Sequence, residues 1–477
     1  MIVIIGAGPA GLAAAKYLAQ RKIQVTIVDS QSKSGGQYWR HHRDDRSVHP
    51  FESLDSNAYI QWKLETSVWQ IEKSDGGSFT IHVLCNGVTE TLSAKQILLA
   101  TGAYDRTLPF PGWTTPGVMT QGAVQALAKE HHVVAGKKIV LAGSGPFTYP
   151  VATSLMKRIA TETSGKKPEI VGIFEARSQW RALPILLAMV LNPLKIGEAL
   201  GYLMALKRAG LTMQRRQVIT SAHRNSNGEL SGVTVSAIDK NYVIVPGSDR
   251  FIECDIAAIS YGFTPDMTLA SILGLERKIL RGEVVVHVNG TQHTSVENVW
   301  AAGEITGVGG HDLAITEGLY AAMSIARAHG AHPNILLQLL VMKRRIRQRI
   351  FAAATLKVFS VPGQWLTWND NSTIVCRCEE VTLGEISHSF EALGADSART
   401  AKLFTRAGMG LCQGRVCHRN VRDVAALFSH EKSASTTDNN RPIGAVITLG
   451  ELSDERSEEH TSELQSHLNL VCRLLLE

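Results

Sequence analysis

The sequence predicts an α/β chain in which one βαβ nucleotide-binding unit is inserted into another, with a small helical domain after them. Three stretches predict it. The apolar run MIVII leads straight into GAGPAG at residues 6–11, a second apolar run leads into GSGPF at residues 143–147, and four cysteines, Cys376, Cys378, Cys412 and Cys417, gather late in the chain. A strand that runs through glycines into a helix brings backbone up to a pyrophosphate. Four thiols in two close pairs can grip a metal ion or a cluster.

In the first unit, Gly6 permits the tight turn, Gly8 lets backbone approach a pyrophosphate, and Gly11 lets helix and strand pack closely. Pro9 and Ala10 open the helix, whose unpaired N–H groups face the phosphates. Residues 23–28 form a β-branched strand ending at Asp29, an acid placed to accept hydrogen bonds from a ribose hydroxyl. Gly35, Gly36 and Gln37 follow, and paired glycines let backbone run close to a bound cofactor. Residues 67–83 alternate apolar and polar around Asp-Gly-Gly at 75–77, a hairpin pattern. No redox pair of cysteines accompanies this unit: Cys85 is the first in the chain and stands alone, which excludes thiol–disulfide exchange through such a pair.

Two further strand ends return to the same place. Residues 96–101 end at Thr101-Gly102, and NVWAAGE at 298–304 ends at Gly303-Glu304. Both resemble the segments that close on the flavin nucleotide in two-dinucleotide-binding-domain flavoproteins of Rossmann-like fold. The resemblance implies FAD, with Glu304 on its ribityl and pyrophosphate part where that family more often has Asp. A helix from about Asp312, after glycines at 307–310, would aim its positive end at the flavin pyrimidine and favour negative charge on a reduced flavin.

The inserted unit is expected over residues 107–254, leaving 1–106 and 255–330 to the first. Its own fingerprint is incomplete. Gly143 and Gly145 are present, but Thr148 stands where a third glycine belongs, which spoils the closest helix–strand approach. The next strand still ends in an acid, Glu175. The pattern suits NAD(P) or another adenine nucleotide, or a unit kept for its structure alone. Hydride exchange with NAD(P)H is the weaker reading.

Residues 331–359 read as two helical runs within a linker over 331–372, and the polar, tryptophan-containing residues 364–372 as a domain boundary. The domain that follows, 373–430, holds the cysteines. Cys-x-Cys with Cys-x4-Cys is unusual for zinc, and Gly408, Gly410 and Gly414 offer backbone N–H groups to cluster sulfurs. Arg377, Arg406 and Arg415 add positive charge beside an anionic centre. A [2Fe–2S] cluster fits this better than zinc or metal-free thiols.

CRCEEVT at 376–382 with GMGLCQGRVC at 408–417 resembles the [2Fe–2S] domain of bacterioferritin-associated ferredoxin. GGQYWR, TGAYDR, PFPGW and GEITGVGGHDLAITEG at 303–318 resemble the larger, α-type subunit of opine oxidases, D-hydroxyproline dehydrogenases and hydrogen cyanide synthase, over residues 1–452. The resemblance implies a chain carrying dinucleotide and iron–sulfur sites, while a flavoprotein β subunit of the amino-acid-oxidase type dehydrogenates the amine. It also admits a small ferredoxin-like subunit. Two functions then compete: the electron-transferring subunit of a heteromeric amine dehydrogenase, and a self-sufficient NAD(P)H-dependent reductase feeding its own cluster. The damaged second turn favours the first, and an FAD site argues against a scaffold or sensor. No residue stands out as a general base; His287, His293 and His311 are scattered and read as surface or packing residues.

Composition closes off other classes. A net charge of +6 without a dense basic run excludes nucleic acid; the densest, 343–349, reads as the wet face of a helix. The apolar stretch 183–206 is interrupted by Pro184, Asn192, Pro193, Lys195 and Glu198, which rejects an integral membrane span. Seven cysteines, an odd number, argue against a disulfide framework, and the chain opens on a structural strand with no secretory signal. A cytoplasmic protein is expected, peripheral to the inner membrane only through a complex. The tail, 431–477, carries no motif, and from residue 453 its pattern breaks so far that it reads as non-native sequence.

Overall fold

The computed structural model describes residues 1–41, 49–74, 76–162, 167–177, 183–359, 363–428 and 443–454. Asp75, at the tip of the expected hairpin, and nearly all of the tail beyond residue 453 lie outside the described residues.

Ile2–Ile5 is apolar at every position because both of its faces are covered, and all four residues are buried. It is the centre of a five-stranded parallel sheet, flanked by Val25–Val28 and Gln96–Leu99, with Ile60–Lys63 and Val299–Ala301 at the two edges. Ile5 lies opposite Val28 on one side and Leu99 on the other. Gly6, Asp29, Ala100 and Ala302 therefore leave the sheet at one rim, the carboxyl end where such sheets bind nucleotides. The expected hairpin is present as Thr66–Lys73 and Phe79–Cys85, extended by Val88–Ala94 into a three-stranded antiparallel layer. Its Phe79, Ile81 and Val83 pack on Val3, Ile5, Ile97 and Leu99.

The inserted unit repeats the plan. Its parallel sheet runs in the order Met213–Arg215, Glu169–Glu175, Lys138–Gly143, Ile256–Ser260, Val118–Thr120. Ile256–Ser260 belongs to this second sheet, so the chain re-enters the first unit after it and not at 255. The run is apolar and small, and it packs directly against Lys138–Gly143. The two crossings between units, Ala103–Asp105 and Phe263–Pro265, pair antiparallel as a short ribbon.

The linker is one helix, Ile335–Val358, and not two: no glycine or proline interrupts it, and Asn334 caps it by accepting from the N–H groups of Leu336 and Leu337. Residues 364–372 are not a solvated boundary. Trp365 and Trp368 are buried in the core of the cysteine domain, where their indole N–H groups donate to Asp423 and to the Tyr242 carbonyl. Two indoles carry more apolar surface than their polar neighbours can keep in water. The domain closes around helices Leu383–Glu391, Ala398–Thr405 and His418–Phe428, the first two opened by capping boxes at Thr382/Glu385 and Ser397/Thr400.

This domain bonds to both units. Trp113 of the inserted unit donates to the Ile374 carbonyl, Arg422 donates to the Gly282 carbonyl of the first unit, and Asn420 donates to the Thr107 carbonyl just past the ribbon. Arg106, buried at the ribbon's end, lies between Asp423 at 2.9 Å and Glu283 at 3.5 Å. The stretch 183–206 breaks at Asn192-Pro193 into helices Leu183–Val190 and Pro193–Arg208. No described helix is long and apolar enough to cross a membrane.

Candidate cofactor sites

At the first turn two glycines are demanded by the protein itself. A Cβ on Gly6, where φ is +109°, would meet the Ala100 carbonyl oxygen at 2.3 Å, and one on Gly11 would meet the Gly6 oxygen at 1.9 Å. Gly8 differs: nothing lies within 4 Å of where its Cβ would be, and the same holds for Gly102 on the neighbouring strand end. These two positions face open space, as a cradle for a ligand backbone would. The helix Pro9–Ala19 starts at Gly8 with proline in its first turn, no capping side chain and no acid there. Its first N–H groups are left for an anion.

Around this turn the expected residues converge. Asp29 accepts from the Ala7 N–H at 2.6 Å and the Gln31 N–H at 2.8 Å, and burial raises its carboxyl despite those bonds. Gly36 lies against Gly8, where a Cβ would stand 2.8 Å from the Gly8 Cα, while Gln37 is exposed. Thr101 donates to the Asp266 carbonyl at 3.2 Å. Gly303, at φ +82°, presses toward Ala10, and Glu304 follows with its carboxyl pushed up to about 7 by burial, against a Gly310 N–H that lowers it. Helix His311–Ala328 points its uncapped N-terminus into the same region, with His311 stacked on Tyr38 at 3.8 Å between ring centres.

Sequence reasoning missed two residues here. Gly318 is where this helix crosses the first: a Cβ there would lie 2.0 Å from the Ala10 oxygen. Glu317 is fully buried; one carboxylate oxygen accepts from the Gly303 N–H and Thr306, and the other accepts from Arg349 of the linker helix at 2.8 Å. A glutamate in a helical pattern looks like a wet face, and its partner lies too far along the chain for local pattern to reveal.

At the second turn, a Cβ on Gly143 would lie 1.7 Å from the Ser260 oxygen, while Gly145 has open space. The helix begins at Thr148 itself, whereas the helix of the first unit begins at Pro9, ahead of Gly11. This later start is how the chain accommodates a buried threonine where the first unit has Gly11. Glu175 is buried and turned inward, accepting from the Gly145 N–H at 3.3 Å and the Arg177 N–H at 3.1 Å; burial pushes its carboxyl up to about 7.

The four cysteines meet. Cys376 and Cys417 are buried, Cys378 is exposed, and Cys378 Sγ lies 3.7 Å from Cys412 Sγ. Contacts thus join the two motifs to each other. Hydrogen bonds from Cys417 hold the Cys376 thiol down at about 6 and the Cys412 thiol at about 5, while Cys417 is itself pushed up. The Gly408 N–H donates to Cys376 Sγ at 3.3 Å, and a Cβ on Gly410 would lie 2.5 Å from Cys378 Sγ. Among the described residues no group of three or more His, Cys, Asp or Glu side chains, the four thiols included, is arranged to hold a single metal ion. The three arginines have protein partners: Arg406 pairs with Glu379, Arg415 donates to the Gly444 carbonyl, and Arg377 lies over the Trp113 ring. Cys254 is buried with its thiol pushed up to about 12, which makes it inert.

Two Rossmann-like units with glycine turns at their strand ends, joined to a domain whose four cysteines lie close together, define an oxidoreductase of the two-dinucleotide flavoprotein class. Residues 1–333 match the family described as pyridine nucleotide-disulphide oxidoreductase, and residues 374–426 match the BFD-like [2Fe-2S] binding domain. The HcnB subunit of hydrogen cyanide synthase from Pseudomonas aeruginosa is 30% identical over 439 residues, 87% of this chain and 90% of that protein. The A-type subunit of opine oxidase from Rhizobium meliloti is 28% identical over 470 residues, 95% of this chain and 98% of that protein. In fold, the L-proline dehydrogenase from P. horikoshii superposes with a TM-score of 0.66 at 19% identity, covering 94% of this chain and 78% of that one. The chain belongs to the pyridine nucleotide-disulphide oxidoreductase family, in the branch that includes HcnB and its opine oxidase counterpart and carries a C-terminal BFD-like [2Fe-2S] domain.

Proposed function

We propose that this chain is the electron-transferring subunit of a heteromeric amine or amino-acid dehydrogenase of the opine, hydroxyproline or proline type. FAD would lie on the first cradle, held by residues 6–11, Asp29, Gly36, Gln37, Thr101, Gly102, Gly303 and Glu304, and a [2Fe–2S] cluster on Cys376, Cys378, Cys412 and Cys417. When bound, these groups supply acceptance of electron pairs and their onward passage singly. The protein's part is to offer uncapped helix N–H groups to the pyrophosphate, to set a positive helix end at the flavin pyrimidine, and to shield the buried sulfurs. The partner that removes hydrogen from the C–N bond would be a flavoprotein β subunit of the amino-acid-oxidase type, and a small ferredoxin-like subunit would be a further member. The complex would work in the cytoplasm, and the chain would reach the inner membrane only through its partners.

One observation carries this reading: the first turn starts its helix early, uncapped and over open space, while the Ser144 hydroxyl of the second turn is tied to the end of the linker helix. A chain that took electrons from NAD(P)H would need the second turn free. The purified protein, mixed anaerobically with NADPH, is expected to keep its flavin band; rapid bleaching would establish the self-sufficient reductase in its place. Cys412→Ser should remove iron and acid-labile sulfide yet leave FAD bound, because the two sites share no residue. One zinc and no iron in anaerobically purified protein would refute the relay.

A further inference from the structure

Phe359, the residue that ends the linker helix, reaches the second glycine turn. Its carbonyl accepts a hydrogen bond at 3.3 Å from Oγ of Ser144, which stands between Gly143 and Gly145. Its ring lies 4.6 Å from the Arg177 guanidinium. Arg177 comes two residues after the acid that ends the second strand, where the chain passes the adenosine end of a bound nucleotide. It is buried, and its Nε has no hydrogen-bond partner among the described residues. A guanidinium facing a ring is what an adenine base would also be offered. Meanwhile the space over Gly145 is open, as it is over Gly8. The pyrophosphate half of the second site is available and the adenine half is filled by the protein's own ring.

We infer that Phe359 is an internal occupant of the second site, so that an adenine nucleotide binds there only by displacing the end of the linker helix. The inference rests on the proposed function in one respect, that this turn does not serve hydride exchange. The displacement has a route onward. The helical turn Gly363–Trp368 begins a few residues after Phe359, and its Trp365 is buried in the core of the cysteine domain. Phe359 and Trp365 stand close in the chain, and occupancy of the second site is thereby coupled to the domain that holds the four thiols.

Calorimetric titration of the FAD- and iron-loaded protein with ADP, and separately with NADH, tests this. A binding-competent state populated only in part weakens apparent affinity by that fraction, so Phe359→Ala is expected to tighten ADP about tenfold, as loss of one partly desolvated cation–π contact would give. Phe359→Leu, which keeps bulk and loses the ring, should tighten it less and guards against a folding defect in the alanine variant. Adding Arg177→Ala to Phe359→Ala should abolish the gain, and saturating ADP should change tryptophan fluorescence in the wild type. Equal affinity in wild type and Phe359→Ala overturns the inference, as does failure of every variant to bind ADP or binding of NADH without ADP. Flavin and iron contents are measured on the same samples; their absence would sink the electron-transfer reading while leaving the titration to be judged separately.

Discussion

The two glycine turns of this chain are built alike and finished differently. In both, a first glycine is forced by a carbonyl from the neighbouring strand, a second faces open space, and an acid at the end of the next strand accepts an N–H from the turn. The first unit then uses a third glycine, Gly11, to draw its helix against the strand; the second has Thr148 there and starts its helix later. The linker helix treats them differently too. Through Arg349 and Glu317 it braces the Gly303 strand end that borders the first cradle, and through Phe359 it covers the second. The same helix braces the border of one turn and lies against the other.

The largest effect should come from closing the first turn. Gly11→Val puts side-chain atoms where the Gly6 carbonyl already stands, so the purified variant is expected to lack FAD while keeping its iron; full flavin content would break the comparison at its root. Next is the brace. Glu317→Gln leaves arginines without their buried partner, which costs about 3 kcal/mol when a buried pair is broken, and a fall in Tm with partial flavin loss should report it. An unchanged Tm would show that the linker helix does not support the first cradle.

A pH experiment tests the burial of the second acid. The Glu175 carboxyl stands at about 7 in the fold against an ordinary value of 4.5, raised by burial. The unfolded chain gives up this proton first, so stability is full below about 4.5 and declines as pH rises toward 7. Glu175→Gln removes the group that titrates: its Tm relative to wild type should climb between pH 5 and pH 8, by up to about 3 kcal/mol of stability. A constant difference across that range would mean the carboxyl is not buried in solution. The smallest effect is expected from Thr148→Gly, about 1 kcal/mol or less from a glycine at a helix start, with flavin content untouched.

Much of the fold is written locally in the chain. The strand, glycine and helix order at 1–30, the acids at 29 and 175, and the cysteine spacings each depend on neighbours a few residues away, and the structure brings them to two turns and one thiol cage as their patterns imply. What local pattern does not carry is partnership at a distance. Glu317 reads as a solvated helix position until Arg349 is folded against it. Trp365 and Trp368 sit among polar residues and read as a link, because the core that swallows them comes from residues 374–428 and from Tyr242. The strand at 256–260 reads as part of the first sheet and lies in the second, because both sheets are parallel and buried and an apolar run does not name its neighbours. The arginines near the cysteines offer charge in sequence, yet each finds a protein partner once side chains are placed.

The cysteine domain's bonds to both units have a mechanical consequence. A two-stranded ribbon such as Ala103–Asp105 with Phe263–Pro265 is by itself a hinge, and two bodies joined only by a hinge can swing. Here a third body is riveted across it: to one plate through Gly282 and through Glu283, which faces Arg419 at 3.6 Å, to the other through Trp113 and Tyr242, and to the pin itself through Arg106 and Thr107. A triangulated frame of this kind does not fold at the joint unless several buried indole and guanidinium bonds shear together. Traffic between the open cradle and the thiol cage must therefore cross a fixed span, and the machine transmits through its girders instead of by moving its arms.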